Sequence, residues 1–214
     1  MAQLVIDLSS NNREPDWKRL AAWRYGVLRR TRVVGVYIKK SEGVSYTFRS
    51  GDGWAGSARK VGLRVGRYHF ARPTPGNARA EADYFCEGLH IGARDYRPVL
   101  DLEVNRSQMI WADLNIWARQ FCQEVFRKSK VLPLIYLSSY WASNIGPAGE
   151  GLWLASWSKD GKTFKPKPPG KWKKVVLHQF TSESTGRSPL HPAGVTGAVD
   201  ISQILIPSAM PAHP

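Results

Sequence analysis

The sequence predicts an α/β fold: a trimmed, irregular β/α barrel of eight strands that loses its helices toward the C-terminus. Three observations lead there. Short β-branched runs alternate with longer helical stretches, the pattern of parallel strands joined by right-handed crossovers. Most of the runs are near-continuously apolar, as strands covered on both faces are. The chain has 214 residues, fewer than the roughly 250 of an ordinary TIM-type eightfold barrel, so some helices must be missing.

In chain order, strands are expected over residues 3–8, 33–39, 64–70, 98–104, 132–138, 152–157, 175–180 and 196–201. Helices are expected over 16–28, 54–61, 78–89 and 108–128, with Asn77 and Ser107 as N-caps and Gly62 as a terminator. After about residue 140 the pattern changes, and loops join the last three strands. The stretch Ser158–Lys174 is the clearest loop, with seven Lys, three Pro and two Gly against one Asp. Residues 1–206 read as one barrel domain and 207–214 as a short, frayed C-terminal tail. The longest apolar run, residues 33–38, is far below the roughly 20 residues of a membrane span.

Lys and Arg total 31 against 17 Asp and Glu, a formal net charge of +14. Such a charge either favours a polyanionic partner or is simply a solvated basic surface. Nucleic acid is not the expected partner, because the basic residues are scattered and no nucleic-acid motif accompanies them. No membrane partner is expected either. The first basic residue is Arg13, so the N-terminus lacks the charged start and apolar stretch of a secretory signal, and synthesis in a cytoplasm is expected. Cys86 and Cys122 lie in helical segments without C-x-x-C spacing; two free thiols and a reducing compartment follow. Gly51-x-Gly53-x-x-Gly56 spells a dinucleotide fingerprint, but a poor strand precedes it and the acidic residue about 20 positions on is missing. The five histidines, His69 and His178 among them, show no zinc spacing. Neither cofactor nor metal is expected.

The chemistry lies in the acids. Asp7 stands near the end of the first strand, Asp101 and Glu103 end the fourth, and Asp200 ends the eighth. Strand side chains alternate with period two, so Asp101 and Glu103 share a face. Closing the barrel sets strand eight beside strand one and brings Asp200 next to Asp7. Active sites of such barrels gather at the C-terminal strand ends, so four acids would crowd one mouth. Crowding and partial burial raise the pKa of at least one of them. A carboxylic acid still protonated near neutrality can donate to a glycosidic oxygen while an ionised neighbour stabilises positive charge on the sugar.

Nine short segments then carry a resemblance: Ile6-Asp7-Leu8-Ser9, Tyr37-Ile38-Lys39 with Ser41-Glu42-Gly43, Val65-Gly66-Arg67-Tyr68-His69-Phe70, Ala82-Asp83-Tyr84-Phe85, Val99-Leu100-Asp101-Leu102-Glu103, Leu134-Ile135-Tyr136, Leu152-Trp153-Leu154-Ala155, His178-Gln179-Phe180 and Gly197-Ala198-Val199-Asp200. In order and spacing the chain resembles the family 25 glycoside hydrolases, the Chalaropsis-type lysozymes or N-acetylmuramidases, many of which are phage endolysins. The resemblance implies a catalytic barrel that cleaves the β-1,4 bond between N-acetylmuramic acid and N-acetylglucosamine in peptidoglycan. It implies Glu103 as proton donor and Asp101 as its partner, either orienting the substrate's N-acetyl group or supporting charge. Asp7 and Asp200 complete an acidic cleft. Retention or inversion stays open. The resemblance also implies accumulation in a host cytoplasm and action on the bacterial wall.

The chain departs from the family pattern at His178, Ser202, Val5 and Lys40, which puts sugar preference and subsite shape in question. Tyr37, Tyr68, Tyr136 and Trp157 stand at or near strand ends, where rings either stack on sugars or fill the core. Lys39 and Glu42 either pair with each other or contact substrate, and Gln179 is a candidate polar contact. Ser158–Lys174 is a candidate docking segment for anionic wall polymers, and a monomer is expected. The competing readings are a peptidoglycan-binding barrel that has lost turnover and, on charge alone, a nucleic-acid binder.

Overall fold

Eight strands close into a ring in the computed structural model, which describes residues 2–25, 31–157, 165–181, 191–197 and 199–212. The elements are β1 (Gln3–Leu8), α1 (Trp17–Ala22), β2 (Arg24–Tyr25), β3 (Thr31–Glu42), β4 (Tyr46–Thr47), α2 (Gly51–Lys60), β5 (Arg64–Phe70), α3 (Ala78–Cys86) and β6 (Val99–Asp101). There follow α4 (Trp111–Ser129), β7 (Leu134–Ser138), α5 (Ser139–Asn144), β8 (Leu152–Ala155), β9 (Val175–Thr181), β10 (Asp200–Ile204) and a 3-10 turn, Pro207–Ala209. The ring runs β1-β3-β5-β6-β7-β8-β9-β10 and back to β1. All neighbours in it are parallel except β10, which is antiparallel to both β9 and β1. The short β2 and β4 pair only with β3.

Period-two alternation decides which side chains face inward. On β1, Leu4, Ile6 and Leu8 pack outward with α1 and α2, whereas Val5 joins the barrel interior. On β6 and β7, Leu100, Ile135 and Leu137 face α3 and α4, and Val99, Leu134 and Tyr136 turn in. The interior holds bulky rings, and two glycines make room for them. A Cβ on Gly66 would lie 1.9 Å from the Tyr37 ring, and one on Gly35 2.4 Å from Tyr96.

Several expectations are corrected. The helix expected over 16–28 stops at Ala22, and the chain turns into β2. The glycines Gly51, Gly53 and Gly56 are all inside α2, which starts three residues earlier than expected. Ser107 does not cap α4; its hydroxyl donates to the Pro73 carbonyl, and the cap position is Ile110. Asn77 does sit at the start of α3, but its side chain bonds Thr74, Arg72, the Glu81 carboxylate and Trp117 rather than a backbone N–H of the helix. The short α5, capped by the Ser138 hydroxyl, was not expected. The last strand lies at Asp200–Ile204, not 196–201, and runs opposite to the others.

Of the expected tail, residues 207–212 are among the described residues, and they pack against the barrel. Met210 is buried, Arg97 donates to the carbonyls of Ala209 and Met210, and the Ala212 N–H donates to Asp95. Residues 207–212 thus close the end of the barrel where the parallel strands begin. Cys86 is half-buried and Cys122 buried, and both are free.

Candidate active site

At the opposite end, the four acids meet. Asp7, Asp101, Glu103 and Asp200 line one cavity of ≈ 330 Å³, within the usual range for a small-ligand site. β1 and β6 deliver Asp7 and Asp101 by alternation. Glu103 lies two residues beyond the end of β6 and is exposed at the lip. Asp200 is the first residue of β10, directly opposite Asp7. An antiparallel strand begins where its parallel neighbours end, so its first residue shares their mouth.

One amide joins this group. Gln179, on β9 and 1% exposed, accepts from the Tyr136 hydroxyl and the Trp157 indole N–H, each at 3.0 Å. Its Nε2 donates to Asp7 Oδ2 and Asp200 Oδ2, each at 3.3 Å. Both donors and both lone pairs of the amide are therefore engaged. Asp101 Oδ1, by contrast, is buried and has no hydrogen-bond partner among the described residues.

The electrostatics follow from this crowding. Loss of hydration pushes the Asp7 carboxyl well above the usual carboxylate range; Asp200 and Glu103 push the same way, and the Gln179 amide pulls back. Burial likewise raises Asp101 well above its ordinary value, reinforced by Glu103 and Asp7 and opposed by Lys39. Glu103 reaches solvent at the lip, yet the protein around its carboxyl removes enough water to raise its pKa; Asp200 adds to this, while Lys39 and Arg72 oppose it. Burial also raises Tyr68 and Tyr136 well above the usual phenol value, so both remain hydroxyl donors at neutral pH. The site therefore favours the protonated form of its carboxyl groups more than water does, and it presents neutral hydroxyl donors around them.

A charged bracket flanks the acids. The Lys39 ammonium pairs with Glu42 Oε2, and the Arg72 guanidinium donates to Glu42 Oε1. Desolvation alone would raise Glu42, but the hydrogen bonds from these two cations outweigh it and hold its pKa below the ordinary value. Behind the bracket, the wholly buried Glu81 accepts from His69 Nε2 at 2.8 Å, the Arg72 N–H at 3.0 Å and Asn77 Nδ2 at 2.8 Å. Three donors satisfy a carboxylate that burial would otherwise penalise. They also fix the turn that carries Arg72.

Of the expected site residues, Asp7, Asp101, Glu103, Asp200, Tyr68, Tyr136, Trp157, Gln179 and Lys39 line the cavity. Glu42 stands behind Lys39. Tyr37 is a correction: it is 0% exposed, stacks against Tyr96 and Trp153, and donates its hydroxyl to the Arg97 carbonyl at the far end of the barrel. It belongs to the core. Ser9, Asn11, Phe70 and Trp153 also line the cavity. The same alternation would have found Ser9, Phe70 and Trp153, each two residues from an inward-facing neighbour. None of the four departures from the family pattern does. Val5 is core, the His178 ring bonds the Ser156 carbonyl, and Ser202 accepts from the Trp153 indole. Ser158–Lys174 lies partly outside the described residues. Among the described residues no group of three or more His, Cys, Asp or Glu is arranged to hold a metal ion.

Comparison with known proteins gives a consistent answer. Residues 6–187 match the family described as glycosyl hydrolases family 25. Lysozyme M1 of Streptomyces globisporus is 28% identical over 178 residues, which cover 77% of this chain and 57% of that protein. The chain thus spans little more than half the length of that curated relative. Among solved structures, the spore cortex lytic enzyme SleM of Clostridium perfringens superposes with a TM-score of 0.79 at 21% identity, covering 98% of this chain and 69% of that one. A family GH25 lysozyme from Aspergillus fumigatus gives 0.76 at 21% identity, with coverages of 97% and 95%. At these identities the structures show a shared fold.

Proposed function

The chain belongs to glycosyl hydrolases family 25, and from that premise we propose that it hydrolyses peptidoglycan as an N-acetylmuramidase. The bond cut is the β-1,4 link from N-acetylmuramic acid to N-acetylglucosamine. One observation carries the reading: four carboxyls from separate parts of the chain share a single cavity, and the one at the open lip, Glu103, has a raised pKa.

Glu103 is then the general acid. Its retained proton passes to the glycosidic oxygen as the bond to the anomeric carbon breaks, and positive charge grows on the sugar ring. Asp101, behind it, faces that charge or the substrate's N-acetyl group through its unpaired Oδ1. Asp7 and Asp200, held by Gln179, complete the acidic cleft. Tyr68, Tyr136, Trp157 and Lys39 stand where sugar hydroxyls, acetamido groups and ring faces would lie. A finer part of the proposal is a lysin role, with the enzyme made in a host cytoplasm and released to the wall by a separate membrane lesion; it rests on the resemblance to endolysins.

Mass spectrometry of digested cell walls tests the activity. Muramic acid at the new reducing ends is expected, and glucosamine there, or released peptides alone, would overturn the reading. Glu103→Gln should lower the rate about 10²–10⁴-fold, the span of general acid catalysis, with an unchanged fold by circular dichroism. Full activity in that variant would refute the assignment.

A further inference from the structure

The end of the barrel opposite the acids is strongly basic. There a groove of ≈ 700 Å³ runs between the starts of β1, β3 and β5 and the closing segment 207–211, and no Asp or Glu lines it. Four arginines do: Arg24, Arg32, Arg64 and Arg94. They are distant in sequence but meet because parallel strands begin at the same end. Arg32, the second residue of β3, lies opposite Gln3 of β1 and Arg24 of β2, while Arg64 opens β5 beside Gly35.

Among the described residues none of the four forms an ion pair with a carboxylate. The nearby Asp95 is already engaged by the Arg59 guanidinium, at 3.1 and 2.6 Å, and by the Gly92 N–H. Arg24 donates to the carbonyls of Ala21 and Trp23, and Arg64 lies 6.0 Å from the centre of the Tyr96 ring. Arg24 and Arg32 are direct cross-strand partners, and like charges in that relation destabilise a sheet. A bound anion would remove the repulsion.

We propose that this groove binds a phosphodiester polymer of the bacterial wall, holding the enzyme on its substrate by the end that does no chemistry. The inference rests on the muramidase reading for its choice of polymer. Guanidinium groups match phosphate oxygens in a bidentate fashion, and four of them along an open groove suit a chain of phosphates better than one small anion. Nucleic acid fits less well, because the one ring lining the groove, Tyr96, is 3% exposed and offers no face for base stacking. The groove and the acid-lined cavity are at opposite ends, so a bound polymer leaves the cavity open.

The test uses the full chain, poly(glycerol phosphate) as probe, and the triple variant Arg32→Gln, Arg64→Gln, Arg94→Gln. The parent should bind the probe with an affinity that falls as salt rises. The variant should bind about tenfold more weakly and with a flatter salt dependence, while cutting a soluble, polymer-free glycan fragment at the parent's rate. Equal binding by parent and variant, no salt-dependent binding by the parent, or equally tight binding of duplex DNA at matched phosphate concentration would overturn the proposal. Failure of the parent to cut the soluble fragment would instead sink the muramidase reading, and the binding arm reports separately from it.

Discussion

Replacing Gln179 by Leu removes a side chain that joins both walls of the acid cluster while keeping its approximate volume. Three losses follow. The Tyr136 hydroxyl, 9% exposed as a residue, loses its acceptor, and a buried polar group left unpaired costs ~1–3 kcal/mol. Asp7 and Asp200 lose a donor; ordinary hydrogen bonds are worth ~0.5–1.5 kcal/mol each, and the 3.3 Å lengths put these at the low end. The Trp157 indole, in a residue 49% exposed, can turn to water at little cost. The net loss is ~3 kcal/mol at neutral pH, a large share of the 5–15 kcal/mol that holds a typical domain.

The loss must depend on pH. Donation from Gln179 lowers the Asp7 pKa against the larger effect of burial, so the variant's folded Asp7 has a pKa higher than the parent's. A carboxyl whose folded pKa is raised weakens the fold as pH climbs from its unfolded value through its folded one. The variant loses more, and the gap opens between the parent's folded Asp7 pKa and the variant's higher one. Urea denaturation at a series of pH values should show a stability gap that widens toward alkaline pH. Hydrolysis should fall about 10²-fold, as expected when catalytic groups are displaced by about 1 Å. A gap of constant size at every pH would refute the coupling of amide to carboxylates, and no gap would refute the clamp itself.

Tyr37→Phe removes only the bond to the Arg97 carbonyl at 3.1 Å; it should cost ~1 kcal/mol in chemical denaturation and leave kcat/KM unchanged, whereas a lower kcat/KM would return Tyr37 to the substrate site. Gly66→Ala drives a methyl into the same ring and should cost ~3 kcal/mol, seen as a lower denaturation midpoint. His69 titrates below the ordinary histidine value because burial outweighs the pull of Glu81. The unfolded chain therefore binds a proton that the folded one refuses, and stability on this account falls as pH drops below about 6.5. NMR titration of the ring should show it still neutral at that pH, and protonation at the ordinary value would contradict the buried Ser41–His69–Glu81 arrangement.

Much of the site was legible because alternation along a strand is rigid. Once Val5 is inward, Asp7 must be, and the same holds for Val99 and Asp101. Height along the barrel axis was harder to read. Tyr37 and Lys39 face the same way two residues apart, but only Lys39 reaches the mouth; the signal was Gly66, the empty position that the Tyr37 ring fills. Alternation continued past β6 also brings Glu103 to the cavity, although the strand stops at Asp101. The glycines of α2 and the six residues of α5 carry little periodic signal, and packing against the barrel decides them. The closing segment 207–212 reads as a tail because its anchors, Asp95, Tyr96 and Arg97, are more than a hundred residues away.

Asp200 reaches the acid cluster on an antiparallel strand, not on the parallel strand that the sequence predicts, and the difference explains the C-terminal architecture. A parallel last strand would begin at the closed end and finish at the mouth, after a crossover of a dozen or more residues. It would then leave the residues that follow it beside the acids. In the observed barrel Ile201 pairs with Thr181, the last residue of β9, so β10 enters at the mouth and runs the other way. Its first residue becomes the partner of Asp7. Its last, Ile204, is already at the closed end, where Leu205 and Ile206 donate to the Val176 carbonyl and Met210 packs among the interior rings. One reversed strand therefore delivers the fourth acid and carries the chain to where it can cover Tyr37 and Tyr96. Shifting the strand by a single residue would turn Asp200 outward and expose Ser202 and Ile204 to the wrong sides, so the acid cluster and the closed end stand or fall together.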